Sequence, residues 1–209
     1  MTQTAFTKTK ELLFQDLKYS LPFRRFSVSE YHKMGEDGIL SEDEHIELID
    51  GVIIQMSTEG TRHSVIMSNI AAQFYELVIE GRALLRVRNP IVLNDDTEPE
   101  PDLALVKTRD RAYYLETHPH PEDVLLLIEV ADTSLEYDKE IKLLRYAASK
   151  IEEVWIVNLV DNIIEVYREP FVLADETAGY RTRIYFLKGD MLSPKSIPAL
   201  KIAVDDVLV

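Results

Sequence analysis

Between residues 64 and 80, Ile66, Met67, Ile70, Ala71, Phe74, Leu77 and Val78 recur at helical spacing on one face, so the pattern predicts an amphipathic helix that Gly81 ends. Three strand patterns follow, at 84–88, 103–106 and 124–130, separated by loops rich in Pro, Asp and Glu. The last is apolar throughout except for Glu129, which suits a central strand covered on both faces. A second helix from about Asp138 to Lys150 leads to a strand at 154–159, and Asp161-Asn162 then turns the chain into a partner at 163–167. Upstream, Ser27 and Glu30 have the spacing of a capping box for a short helix ending before Gly38. Asp50-Gly51 joins strands 45–49 and 52–56 into a hairpin, and further strands are expected near 171–173 and 183–187. This order predicts an α/β fold with a mixed central sheet flanked by helices, carrying N- and C-terminal hairpin additions. Residues 1–25 read as an N-terminal extension and 26–209 as a single domain.

The length of 209 residues and a hydrophobic content of 46% fit one domain with a sizeable core. No apolar run approaches a bilayer span and the N-terminus is polar, so a soluble, cytoplasmic protein without membrane contact is expected. With no cysteine, any metal must be held by oxygen or imidazole, which favours Mg²⁺ or Mn²⁺. A net charge of −14 opposes nucleic-acid binding, because that affinity rests on cations neutralising phosphates. The charge is uneven, however. Asp95, Asp96, Glu98, Glu100 and Asp102 crowd one segment, while Arg82, Arg86 and Arg88 are expected on one face of a strand, a local basic strip.

Glu129 is the first candidate for chemistry, because a carboxylate near the end of a buried strand needs a metal or a cationic partner. Asp102 follows Pro101 at the start of a neighbouring strand, and the two together form a divalent-cation pair of the hard-oxygen type. Asp138, Lys142 and Tyr146 fall at spacings of four on the next helix, equally the pattern of an ion pair on a solvated face and of a lysine reaching back over the strand end. His63 reads either as a phosphate or water contact or as a local hydrogen-bonding residue at a helix start. The His118-Pro-His120-Pro121 loop reads as an irregular turn ahead of a metal site, and Asp132 to Ser134 as a cap or turn for the second helix.

The segments Glu47-Leu-Ile-Asp-Gly-Val52, His63 opening its helix, Pro101-Asp102-Leu-Ala-Leu105, Ile128-Glu-Val-Ala-Asp-Thr-Ser134, Asp138-Lys-Glu-Ile-Lys-Leu-Leu-Arg-Tyr146 and Glu153-Val-Trp-Ile-Val-Asn158 resemble the Uma-two family of restriction-endonuclease-like proteins. The resemblance runs from about Phe23 through nearly the whole chain. The family is assigned to the PD-(D/E)XK nuclease superfamily, which implies a restriction-endonuclease-like core with Asp102 as the first acid and Glu129 as the second. It also implies Glu47 as a third acid on the metal, a homodimer as the default assembly and DNA as the partner. One departure is informative: two residues after Glu129, where the superfamily carries its catalytic lysine, stands Ala131, and the resemblance points instead to Lys142 on the following helix. Asn158, where relatives often carry Asp, receives no role.

Three readings follow. The leading one is a Mg²⁺- or Mn²⁺-dependent DNA endonuclease with Asp102, Glu129 and Lys142 as catalytic residues. The second is an inactive binding or regulatory protein that keeps the nuclease fold, with the same residues forming a buried ion network. The third is hydrolysis of another phosphate ester, which tolerates the acidic charge better. If DNA is recognised, residues 110–121 and the N-terminal extension offer the room for it.

Overall fold

The computed structural model describes residues 24–41, 43–56, 58, 60–110 and 112–208; the extension expected over 1–25 lies outside these but for its last two residues. The capping box forms: Ser27 Oγ accepts from the Glu30 amide, Glu30 accepts from the Ser27 amide, and helix α1 runs Val28–Glu36. Strands β1 (Ile46–Ile49) and β2 (Val52–Gln55) meet through Asp50 and Gly51, both at positive φ as a two-residue hairpin turn requires. The hairpin is tied to the chain beyond it, since Leu48 and Glu98 exchange backbone hydrogen bonds of 2.7 and 3.2 Å.

The helix expected over 64–80 starts earlier and is broken. It consists of α2 (Thr61–Gln73) and α3 (Tyr75–Ile79), with Phe74 between them at φ −99°, ψ 0°. Phe74 is fully buried and packs 6.5 Å from the Trp155 ring, so the break serves packing that helical periodicity does not register. Gly81, at φ +68°, ends the segment as expected.

Strands β3 (Leu84–Val87), β4 (Leu103–Val106), β5 (Val124–Ala131), β6 (Glu153–Asn158), β7 (Ile163–Val172) and β8 (Ala178–Phe186) form one six-stranded sheet in that order. Only β5 and β6 run parallel; the other pairs are antiparallel, so the sheet is mixed as expected. The segment 171–173 is not a separate strand. It is the end of β7, which carries Pro170 beyond its last rung with β6, Glu153 to Arg168.

The sheet's two faces hold two cores. Leu126, Ile128 and Val130 of β5 pack with Ile66, Ile70 and Phe74 on one side, while Leu127 and Ala131 pack with Leu143, Tyr146 and Ile151 on the other. Glu129 alternates with the first set and therefore faces the second helical segment. That segment is continuous but irregular: α4 (Leu135–Tyr137), a π-helical turn (Asp138–Lys142) and α5 (Leu143–Ala148). Among the described residues no helix is long and apolar enough to cross a membrane.

At Gly51 an added Cβ would lie 2.5 Å from Arg25 Cβ and 3.0 Å from the Phe26 carbonyl, on top of a φ of +74°. Gly38 has a similar φ but open space. Gly38→Ala is expected to lose about 1 kcal/mol for its left-handed backbone alone. Gly51→Ala should lose at least about 1 kcal/mol more, because the hairpin must also move away from residues 25 and 26; equal denaturant midpoints for the two variants would contradict this packing.

Candidate active site

Glu129 is 2% exposed near the carboxyl end of β5. Its Oε1 accepts from the Tyr146 hydroxyl at 2.5 Å and stands 2.8 Å from Lys142 Nζ, while Oε2 accepts from the Asp102 amide at 3.3 Å. Burial pushes its carboxyl up to about 8, against the pull of Lys142. The Lys142 ammonium is 4% exposed, lies 3.5 Å from Glu47 Oε2 and donates to the Glu100 carbonyl at 3.2 Å. Burial alone would lower its pKa, but Glu129 and Glu47 outweigh it and hold the lysine well above its ordinary value. Lys142 is therefore a permanent cation seated between the carboxyl groups of Glu129 and Glu47.

The π turn explains how a helix delivers this lysine. Its i→i+5 hydrogen bonds accommodate one more residue in the turn than an α-helix would, and such turns concentrate at functional sites. Asp138 opens the turn and Lys142 closes it, and both line the same cavity. The stripe expected from spacings of four is present in space, although an α-helix is not what produces it. Of the two roles expected for Asp132 to Ser134, the turn into the helix is present and the side-chain cap is not; the Ser134 hydroxyl instead donates to Asp138 Oδ2 at 2.7 Å. Burial lifts Asp138 to about 6, with Lys142 and the Ser134 hydrogen bond opposing.

Asp102 precedes β4 and faces Glu129 across the β4–β5 pairing. Its Oδ2 accepts from the Val130 amide at 2.7 Å and lies 3.1 Å from His63 Nε2, so His63 enters the site by holding Asp102. Glu47, 1% exposed, accepts from the Tyr137 hydroxyl at 2.7 Å and from the Glu100 amide at 2.9 Å. Glu47 thus meets the site through Lys142. Among the described residues, Glu47, Asp102 and Glu129 do not bring three ligand atoms within 4.8 Å of one another.

Glu47, His63, Asp102, Glu129, Asp138 and Lys142 all line one cavity of about 440 Å³, with Tyr146 immediately behind it. Among its described lining residues are six carboxylates, Glu47, Glu100, Asp102, Glu129, Asp132 and Asp138, and two permanent cations, Arg88 and Lys142. So large an excess of negative charge in a half-enclosed space is an environment for a divalent cation. Asp102 and Glu129 are hard-oxygen donors on adjacent strands, which suits Mg²⁺ or Mn²⁺.

The family model described as "Putative restriction endonuclease", Uma2, matches residues 28–205. The chain belongs to the Uma2 family. A solved structure titled as a putative nuclease belonging to DUF820, from Anabaena variabilis ATCC 29413, superimposes with a TM-score of 0.65 at 15% identity, covering 87% of this chain and 97% of that one. This Uma2 protein thus shares its fold with that structure. No curated protein matches the chain.

Several residues of the Uma2 site escaped the sequence. Tyr137 and Glu100 carry no periodic or motif signal, and their role comes from Glu47 arriving on a hairpin far away in sequence. The basic strip expected from Arg82, Arg86 and Arg88 does not form. Arg88 lines the active-site cavity, Arg86 lines a different one and Arg82 pairs with Glu80, because β3 ends at Val87 and Arg88 turns out at φ +49°.

Glu129 and Asp138 bind protons more tightly in the fold than their ordinary values of 4.5 and 3.8 allow in the unfolded chain. Their contribution to stability is therefore complete below those values and is lost as pH rises through about 6 and then about 8. Chelator-treated protein should melt several degrees lower at about pH 8.5 than at about pH 5 in scanning calorimetry, with a smaller drop for Glu129→Gln. Superimposable profiles for the two proteins would show that Glu129 does not titrate in this window.

Proposed function

We propose that this Uma2 protein is a divalent-metal-dependent endonuclease that hydrolyses DNA phosphodiester bonds, working as a homodimer with one cavity per strand. The reading is carried by one observation, the acid pair Asp102 and Glu129 meeting a buried ammonium in a cavity with a surplus of carboxylates. Asp102 and Glu129 would hold the ion, Mg²⁺ or Mn²⁺, which polarises a phosphoryl oxygen and acidifies an attacking water.

The chain's own groups divide the remaining work. Lys142 is held too far above neutrality to act as a base, so its part is to donate hydrogen bonds to the negative charge that develops on the phosphate, or to the water. Glu129, pushed up to about 8 by burial, must give up its proton to hold the ion, so binding of the ion is expected to release a proton there. Water would attack phosphorus as the bond to the leaving oxygen breaks, the proton released by the water passing to a carboxylate and the leaving oxygen taking a proton from solvent to depart as an alcohol. Tyr146 and Tyr137 fix the two glutamates that fix the lysine, and His63 fixes Asp102. Ala131 is fully buried on the Glu129 face, and with so short a side chain there, that face of the strand leaves the lysine's place to Lys142.

A second reading, a nuclease-fold binding or regulatory protein without turnover, is favoured by the closure of the network on itself. Both Glu129 oxygens already have partners supplied by Tyr146, Lys142 and Asp102. Nicking of supercoiled plasmid with Mg²⁺ or Mn²⁺ separates the two. Asp102→Asn keeps the acceptor for the Val130 amide but removes the charge, and is expected to lower nicking by about 10²-fold or more. Lys142→Ala should abolish nicking and cost about 3–5 kcal/mol of stability by leaving buried carboxylates uncompensated. Wild type that is inert with either ion, while Lys142→Ala still loses stability, would assign the residues to the second reading. Cleavage of a mononucleotide ester without plasmid nicking would assign them to a small phosphate ester.

A further inference from the structure

Beside a cavity separate from the active site, a second group of ligand-type side chains assembles. His32 of α1, Glu98 and His118 offer ligand atoms that all lie within 4.8 Å of one another. They come from three separate stretches of chain. His32 Nε2 is 2.9 and 2.8 Å from the two Glu98 oxygens, and the His32 and His118 rings meet edge to face at 5.7 Å. Glu98 is 2% exposed, and its backbone is fixed by the paired hydrogen bonds to Leu48, so its carboxylate is presented from a rigid support. His118 is half-buried, with its ring against that of His32 and a ring nitrogen within ligand distance of the Glu98 carboxylate.

We infer that His32, Glu98 and His118 form a second metal site, selective for zinc-class divalent ions over magnesium. Two imidazoles and one carboxylate are the donor set of three-ligand zinc centres, whereas Mg²⁺ prefers an all-oxygen shell. Ligand bonds of about 2.0–2.1 Å imply ligand atoms roughly 3.3 Å apart around a tetrahedral ion. The present hydrogen-bonded spacing reaches that by small rotamer adjustments, with the ion replacing the proton shared by His32 and Glu98. A tetrahedral centre with three protein ligands keeps a fourth position for water or an anion.

The surroundings carry an independent sign of a ligand there. His32 and His118 line a cavity with Arg86, whose buried Nε has no hydrogen-bond partner among the described residues. An anion in the fourth position would be drawn to the Arg86 guanidinium that lines the same cavity. Such a centre would clamp α1 and the 118–120 loop onto the strand segment that pairs with Leu48, next to Glu47. It is distinct from the proposed magnesium or manganese site in donors, in location and in the ion it selects.

The test is calorimetric titration of chelator-stripped protein with Zn²⁺ in excess Mg²⁺, using wild type, Asp102→Asn, His32→Ala and His118→Ala, each checked for fold by circular dichroism. His32, two-fifths exposed, tolerates truncation best. Asp102→Asn is expected to bind zinc as wild type does, while each histidine variant loses affinity by more than the about 10–100-fold that outer-shell changes cost. X-ray absorption of zinc-loaded Asp102→Asn protein should show two imidazole ligands, and that measurement decides the matter if a histidine variant does not fold. Zinc binding that survives both histidine variants, that disappears in Asp102→Asn, or that is missing from wild type would overturn the assignment. Failure of plasmid nicking would leave this result untouched, so the two proposals fail separately.

Discussion

The ion pair between Lys142 and Glu129 is the interaction around which the rest of the structure is arranged. A buried ammonium or a buried carboxylate alone is untenable, and even together they need further hydrogen bonds for the remaining donors and acceptors. The fold answers from four directions. Tyr146 comes from the same helix, Asp102 from the adjacent strand, Glu47 and its partner Tyr137 from the hairpin and the helix start, and the Glu100 carbonyl from the acidic loop. Strand β1, the segment 100–102 before β4, strand β5 and the helical segment from Leu135 to Tyr146 are therefore fixed partly by their relation to this one charge pair.

Position in the sheet gives the pair its chemical meaning. Among the described residues β5 and β6 are the only parallel neighbours, and the crossover between them carries the π turn over the carboxyl end of β5. Crevices at the carboxyl ends of strands are where open α/β sheets bind ligands, because connections leave there and side chains converge without closing the space. The cavity is acidic although the enclosing chain already carries a strong negative charge. That accumulation costs stability in an empty fold, and a bound cation relieves it.

What could be read from the sequence was whatever depends on neighbours a few residues apart. Ser27 with Glu30, Asp50 with Gly51, Asp161 with Asn162 and the apolar run around Glu129 are local arrangements, and the corresponding cap, turns and central strand are present. The strand pattern alone paired Asp102 with Glu129 as hard-oxygen donors, while spacing left Lys142 open between a surface ion pair and chemistry, and the resemblance to Uma2 proteins put it with the two acids. Features set by tertiary packing were not legible: the break at Phe74 under Trp155, the π turn, the scattering of Arg82, Arg86 and Arg88, and the meeting of His118 with His32 and Glu98. For His118 the two prolines gave a sound reason to read an irregular turn; the turn itself lies at Pro121–Asp123, and the segment before it brings the imidazole to a partner 86 positions earlier in the chain.

The π turn has a further consequence for how such a site can change over generations. In a strand, inserting or deleting one residue sends every later side chain to the opposite face, so an acid and a lysine two positions apart on β5 would be locked into one register. With Ala131 on the strand and Lys142 on the helix, the two charges belong to separate registers. A π turn is itself a helix that has taken in one extra residue without unwinding. The half of the site borne by the helix can thus be lengthened or shortened while the acids on the sheet stay in place.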